Sequence, residues 1–117
     1  MCCELSILPQ IFNNMTELKD DILKEIIDNN DKVVVQFGAT WCGVCRLMKP
    51  KFKRMSAEHE GIEFYYVDAE KLPESRKLAP VENLPTFAGF SNGQLVKTRF
   101  GSKADVIQDV INEVASN

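Results

Sequence analysis

The sequence lacks several features that define common protein classes. No apolar run approaches the roughly 20 residues that a membrane-spanning helix needs, so we expect no membrane partner. Lys and Arg number 14 against 17 Asp and Glu, giving a net charge of −3. This balance argues against a nucleic-acid partner, because phosphate binding needs a basic surplus. Repeats and Pro/Ser-rich linkers are also absent, and 117 residues suit a single domain, 1–117, with a flexible N-terminus at 1–5.

The N-terminal segment has no basic start. No Lys or Arg precedes Lys19, and no long apolar stretch resembles a secretory signal. Position 2 is not the Gly that N-myristoylation requires. We therefore expect a cytoplasmic, reducing location.

The four cysteines form two pairs that are close in sequence, Cys2 with Cys3 and Cys42 with Cys45, and the rest of the chain has none. A disulfide-stapled domain would spread its cysteines to bridge distant segments, so redox chemistry is the better interpretation. A zinc site would need Cys2, Cys3 or His59 as further ligands, and their spacing is not that of a second ligand pair. We therefore expect no metal. His59 is the only histidine, which argues against a Cys/His hydrolase.

The remaining pattern alternates strands with helices. Predicted strands span 6–11, 32–37, 62–67, 86–90 and 94–99, with an Asn92-Gly93 turn between the last two. The first predicted helix is capped by Thr16 and carries Leu18 to Ile27, the second starts at about Cys42 with Pro50 inside it, and a short third helix spans 73–78. A Ser102–Asp105 capping box opens the last predicted helix. This helix carries one apolar stripe, formed by Val106, Ile107, Val110, Ile111 and Val114. The order predicts an α/β fold, a central mixed β-sheet flanked by helices on both faces.

The motif Cys42-Gly43-Val44-Cys45 follows the strongest predicted strand and opens a helix. A helix N-terminus presents unpaired N–H groups and partial positive charge, which favour a thiolate at Cys42. Cys45 lies on the apolar face of the helix and should be the less exposed thiol. The asymmetry predicts that Cys42 attacks a disulfide and Cys45 resolves the product. Gly43 would allow another chain to approach closely.

Several separated motifs resemble the thioredoxin family. They are Ala39-Thr40-Trp41-Cys42-Gly43-Val44-Cys45-Arg46, the helix proline Pro50, Leu84-Pro85-Thr86, Phe90-Ser91-Asn92-Gly93-Gln94 and Phe100-Gly101. The resemblance covers about residues 6–115 and implies the thioredoxin fold, with a cis peptide bond at Pro85.

The resemblance also implies a function. A thiol–disulfide oxidoreductase of this family reduces protein disulfides and carries electrons through a reversible Cys42–Cys45 disulfide. It needs no bound cofactor, and its electrons come from NADPH through a thioredoxin reductase. We expect a monomer that acts on disulfide-containing proteins. The substrate groove implied by the resemblance is lined by Trp41, Gly43, Val44, Leu84, Pro85 and Gly101, with the Leu84 backbone pairing with the substrate.

The chain departs from the family at several positions. Gln36 stands where thioredoxins usually carry a buried aspartate, and Phe64 where a lysine often accompanies it. An amide cannot act as a base, so we expect slower resolution by Cys45 and longer-lived mixed disulfides. Val44 replaces the usual proline, which predicts a somewhat more oxidising pair. Gly38 replaces a frequent aromatic residue and should open space around Trp41.

Two alternatives stay open at this level. The same motif occurs in oxidases or isomerases of the protein disulfide isomerase type. A thioredoxin-like domain can also be a non-catalytic binding module, and Gln36 mildly favours that hypothesis.

Overall fold

The β-branched run at 32–37 forms the middle of a five-stranded mixed sheet in the computed structural model, which describes residues 15–117. The strands are β1 (Met15–Glu17), β2 (Lys32–Gly38), β3 (Glu63–Asp68), β4 (Thr86–Ser91) and β5 (Gln94–Phe100). The helices are α1 (Leu23–Asn29), α2 (Gly43–Ser56), α3 (Pro73–Arg76) and α4 (Ala104–Ser116). Among these residues, no helix is long and apolar enough to cross a membrane.

The strand order is β1-β3-β2-β4-β5. Strands β1, β3 and β2 run parallel, whereas β4 is antiparallel to β2 and β5 is antiparallel to β4. Parallel neighbours need crossover connections, and the helices supply them. The predicted mixed sheet with helices on both faces is confirmed.

Strand β2 is buried on both faces of the sheet. Side chains alternate along a strand, so Val33, Val35 and Phe37 join one apolar cluster with Leu23 and Ile27 of α1. Val34 lies on the other face with residues of α2 and α4. That second cluster contains Met48, Phe52, Phe64, Phe87, Val106, Ile107, Val110, Ile111 and Val114. This double coverage explains the nearly continuous apolar character of the strand.

The Asn92-Gly93 turn forms as predicted. Its two residues have φ angles of 51° and 82°, the left-handed pair that a tight hairpin turn between twisted strands needs. The Asn92 N–H donates to the Asp31 carbonyl at 2.8 Å. The turn therefore connects β4 to the edge strand β5. The far end of β5 lies next to the loop that contains Pro85, because Phe100 pairs with Thr86.

The predicted helix start at Thr16 is wrong. Thr16 lies in β1, opposite Tyr65 of β3, and the Leu18 N–H donates to the Tyr66 carbonyl at 2.9 Å. Pairing with the edge of β3 outweighs the local capping pattern. Helix α1 starts only at Leu23 and has no side-chain cap. The predicted strand at 6–11 and the predicted flexible terminus at 1–5 lie outside the described residues.

The capping box predicted for the last helix is also wrong. The cap residue of α4 is Lys103, and its side chain makes no capping hydrogen bond. The helix begins at Ala104, so Ser102 stands one residue too early to cap it. The predicted apolar stripe is confirmed, because all five of its residues are buried: Val106, Ile107, Val110, Ile111 and Val114.

Candidate active site

Cys42 lies at the end of the connection from β2 to α2, and Cys45 lies in the first turn of α2. Cys42 is the N-cap residue of α2 and has extended backbone angles, φ −91° and ψ 106°. Its N–H donates to the Ala39 carbonyl at 3.2 Å, which closes the turn that follows the strand. One helical turn then brings Cys45 to a Cα–Cα distance of 5.3 Å from Cys42, and the two form a disulfide.

The two sulfur-bearing residues have different surroundings. Cys42 is 7% exposed, whereas Cys45 is fully buried at 0%. The Cys42 Sγ accepts a hydrogen bond from the Cys45 N–H at 3.1 Å. Because this donor belongs to the unpaired first turn of a helix, it stabilises negative charge on the Cys42 Sγ once the disulfide is reduced. Cys42 therefore lies at the edge of the site and Cys45 in its interior.

Apolar side chains are exposed around the disulfide. Trp41 is 64% exposed and its indole N–H donates to Glu70 Oε2 at 2.7 Å. Val44, beside it on the first turn of α2, is 39% exposed. Phe100, at the end of β5 and opposite Thr86, is 62% exposed. An exposed apolar rim of this kind is typical of a docking surface for a protein or peptide.

The loop before β4 closes the other side of the site. The Leu84–Pro85 peptide bond is cis, as the resemblance implied, and Leu84 packs against the cluster that Ala39, Cys42 and Cys45 form. The Gly101 N–H donates to the Pro85 carbonyl at 3.4 Å, which places Gly101 beside the same loop. Gly43 is exposed, and a Cβ there would meet no atom within 4 Å. The structure thus brings all the predicted groove residues to one region.

Gln36 lies beneath the cysteines and is completely buried. Its Nε2 donates to the Cys45 carbonyl at 3.2 Å. Within the described part of the chain, its Oε1 has no hydrogen-bond partner. Phe64, at the expected lysine position, packs edge-to-face on Phe52 with ring centroids 5.5 Å apart. The interior below the disulfide is therefore neutral on the side that Gln36 and Phe64 occupy.

The space above Gly38 is filled, which corrects the expectation that this glycine opens room around Trp41. A Cβ at Gly38 would clash with Tyr66 Oη, and it would lie 2.9 Å from Tyr66 Cζ and 3.2 Å from Cys45 Cβ. Sequence reasoning missed Tyr66. The available signal was the glycine itself, because glycine inside a buried strand often marks a close approach by another group.

Tyr66 also borders a cavity of about 300 Å³ that both charged and apolar residues line. Lys49 Nζ lies 4.3 Å from the centroid of its ring and 2.7 Å from Glu17 Oε1. Burial raises the pKa of the Tyr66 phenol, and the negative charges of Asp68 and Glu17 raise it further. The hydroxyl is therefore protonated at neutral pH and can both donate and accept a hydrogen bond.

No group of three or more potential metal ligands occurs within residues 15–117. The zinc hypothesis would draw on Cys2 and Cys3, which lie outside that range. The site is built from a disulfide, an amide, a phenol and apolar groups, which suits redox chemistry of sulfur. A dithiol that caps a helix in such a fold, beside a cis-proline, defines the class of thiol–disulfide oxidoreductases.

Comparison with known proteins gives the family. The sequence model of the thioredoxins matches residues 14–113. Thioredoxin from Callithrix jacchus is 36% identical over 95 residues, which cover 80% of this chain and 90% of that protein. The structure of Schistosoma mansoni thioredoxin is 35% identical with a TM-score of 0.76, covering 85% of this chain and 94% of that one. The chain belongs to the thioredoxin family.

A second solved structure concerns the thiol resolving mechanism of a yeast mitochondrial 1-Cys peroxiredoxin via glutathione/thioredoxin systems. It is 27% identical with a TM-score of 0.75, covering 84% of this chain and 94% of that chain. Together these findings confirm the predicted thioredoxin fold and the predicted function, a thiol–disulfide oxidoreductase that reduces protein disulfides. None of these matches supports the oxidase, isomerase or binding-module alternatives.

Proposed function

We propose that Cys42 is the attacking thiol and Cys45 the resolving thiol of a monomeric, cytoplasmic disulfide reductase. Its electrons come from NADPH through a thioredoxin reductase, and its substrates are proteins that carry a disulfide. The family supplies the activity itself. The proposal adds the roles of the two cysteines, the reducing partner, the monomeric state and the compartment.

The position of the Cys42 Sγ carries the assignment of roles. This sulfur accepts the Cys45 N–H at the first turn of α2, where the helix dipole favours a thiolate. A thiolate is the form that attacks disulfides. Cys45 has no exposed surface, so it cannot attack a substrate disulfide directly and reacts instead with the Cys42 sulfur of the mixed disulfide.

The reaction then has two exchange steps. The Cys42 thiolate attacks one sulfur of the substrate disulfide, and the other sulfur leaves as a thiolate that takes a proton from water. Cys45 next loses its proton and attacks the Cys42 sulfur. The mixed disulfide breaks, the second substrate sulfur leaves and is protonated, and the Cys42–Cys45 disulfide holds the two-electron oxidation.

The exposed rim suits an extended polypeptide as substrate. Trp41 and Val44, close to Cys42 in sequence, and Phe100, which pairs with the residue after Pro85, all offer exposed apolar surface. The Leu84 backbone, next to cis-Pro85, would pair with an extended substrate segment as in strand addition. One related structure concerns the resolution of a peroxiredoxin thiol, which makes disulfide-bonded, oxidised cysteines of such proteins one substrate class to test.

Turnover with a thioredoxin reductase tests the proposal. The full chain, NADPH, a thioredoxin reductase and a disulfide-containing protein are mixed, and oxidation of NADPH is followed with and without the chain. We expect turnover that requires all four components and that disappears in Cys42→Ser. No turnover with several reductases, in the presence of activity with a chemical dithiol, would contradict the reductase partner but not the disulfide chemistry.

A further inference from the structure

The resolving thiol has to lose a proton in a site where the usual acceptor is missing. Gln36 occupies the position of the expected carboxylate, and its amide cannot accept a proton at neutral pH. Cys45 is completely buried, so its thiol cannot give the proton directly to bulk water. A group with one side on Cys45 and the other on a solvent-connected space would solve this problem.

Tyr66 is placed to be that group. It stands opposite Gln36 in the pairing of β2 with β3, which puts its ring on the same sheet face. Its hydroxyl occupies the space above Gly38, and Cys45 Cβ borders the same point at 3.2 Å. The absence of a Cβ at Gly38 is what lets the phenol reach the resolving cysteine.

The other side of Tyr66 meets charged groups that surround the cavity of about 300 Å³. Glu17 of β1, Arg46 and Lys49 of α2, Asp68 of β3 and Lys71 after it line that space. Lys49 lies over the Tyr66 ring at 4.3 Å. A cavity with this lining holds water readily, because each water finds several polar partners.

We infer that Tyr66 is the proton relay for Cys45. The Tyr66 oxygen accepts the proton of the Cys45 thiol while its own hydroxyl proton passes to water in the cavity. The tyrosine ends the step as a neutral phenol. The electron pair left on the Cys45 sulfur forms the bond to Cys42, and the substrate sulfur leaves with the electrons of the broken mixed disulfide. The inference rests on the proposed roles of the two cysteines.

The two exchange steps can be separated with an aromatic disulfide that releases a coloured thiolate. The full chain carries Cys2→Ser and Cys3→Ser, so that only the active-site thiols react, and it is reduced before rapid mixing. The first phase reports the attack by Cys42 and the second reports the resolution by Cys45. No reductase is present, so the result does not depend on the proposed electron source.

Tyr66→Phe removes only the hydroxyl. We expect an unchanged first phase and a second phase slowed about tenfold or more, in line with the loss of a proton-transfer group. The deficit should shrink as the pH rises, because a higher pH favours loss of the Cys45 proton before the step and so reduces the need for a relay. Gly38→Ala, whose Cβ would clash with Tyr66 Oη, should give the same pattern. Tyr65→Phe is the matched control, since that ring lies on the opposite face of β3.

Three results would overturn the inference. One is a second phase in Tyr66→Phe as fast as in Tyr65→Phe. Another is a deficit that stays the same at every pH, which would indicate a packing role. The last is an equal slowing of both phases. A missing first phase in the parent protein would instead contradict the proposed role of Cys42.

Discussion

Two buried residues on the face of β2 toward α2 depart from the pattern that the thioredoxin resemblance implies. Gln36 places an amide where a carboxylate was expected, and the space that a side chain at Gly38 would fill is occupied by Tyr66. Each change is only one residue, yet each alters the environment of Cys45 rather than that of Cys42. Gln36 and Gly38 therefore affect mainly the resolving step, in which Cys45 attacks the Cys42 sulfur.

Substitution of Gln36 by aspartate should speed that step. A carboxylate can accept the Cys45 proton, whereas the amide only donates to the Cys45 carbonyl at 3.2 Å. The same change should cost roughly 1–3 kcal/mol of stability, because that buried hydrogen bond is lost. Gln36→Asn is the control with the same length and no base. The expectation fails if the resolving rate of Gln36→Asp does not exceed that of Gln36→Asn in stopped-flow experiments.

Substitution of Gly38 by alanine should destabilise the fold. The added Cβ would clash with Tyr66 and crowd Cys45, and overpacking of a core costs roughly 1–3 kcal/mol. Gly43→Ala is the matched control, because a Cβ there meets nothing within 4 Å, and its effect should stay within about 0.5 kcal/mol. Urea unfolding measures both. Equal stabilities for the two variants would show that Tyr66 moves away without cost.

The residues that carry the chemistry were largely predictable from the sequence, whereas the residues that pack around them were not. Cys42, Cys45 and the Leu84–Pro85 bond stand in short motifs whose local spacing is enough. Tyr66 reaches the site only through the register of β3 against β2. No local pattern encodes that register, so Gly38 could signal a close approach by some group but could not identify Tyr66 as that group.

At the scale of elements, a carboxylate joins two short helices. Asp21, just before α1, accepts the N–H groups of Glu74 and Ser75 at 3.0 and 2.7 Å. The Leu23 N–H, at the start of α1, donates to Ser75 Oγ at 3.2 Å. Each helix thus supplies hydrogen-bond partners that the other lacks at its own start. This exchange fixes α1 against α3 on the face of the sheet opposite α2.

The pH dependence of stability should report this contact. The Ser75 side chain, and then the backbone N–H groups of α3, hold the pKa of Asp21 below its ordinary value of 3.8. A lowered folded-state pKa stabilises the protein above that ordinary value, and the contribution is lost as the pH falls through the folded-state pKa. Asp21→Asn should therefore lower the unfolding midpoint at neutral pH and lose its effect in strong acid.

Asp20→Asn is the control for that experiment, since Asp20 is an exposed neighbour. Unfolding midpoints of both variants and the parent are compared across the acid range. A penalty for Asp21→Asn that is independent of pH, or one shared by Asp20→Asn, would contradict the role of the Asp21 carboxylate.

Element types were predictable where periodicity was strong and failed where a short signal competed with tertiary pairing. The strand at 32–37 and the apolar stripe of α4 followed from their residues alone. Thr16 carried a capping pattern, but the exposed edge of β3 offered its segment a ladder of hydrogen bonds. The predicted cap at Ser102 was wrong by one residue, because α4 starts at Ala104 and helix boundaries depend on packing.

At the scale of the whole molecule, the disulfide couples redox state to folding. It joins residues three apart in sequence and so restricts the unfolded chain over a short loop. By the chain-entropy relation, such a loop stabilises the oxidised protein by about 2 kcal/mol. Reduction should lower the free energy of unfolding by that amount, measured by urea unfolding with and without a dithiol.

The parent for this comparison carries Cys2→Ser and Cys3→Ser, so that only one disulfide can form. Addition of Cys42→Ser to that parent provides a control whose stability should not respond to the dithiol. An oxidised form no more stable than the reduced form would contradict the coupling between folding and disulfide formation.

The most direct test of the account follows the reduction of a protein disulfide, such as those of insulin, with dithiol as the electron source. The parent chain should accelerate the reaction, and Cys42→Ser should return it to the uncatalysed rate. Cys45→Ser, reduced beforehand and mixed with the substrate after the free dithiol has been removed, should accumulate a mixed disulfide between Cys42 and the substrate, visible by mass. Equal rates for the parent and Cys42→Ser would contradict the central claim that Cys42 attacks the substrate disulfide.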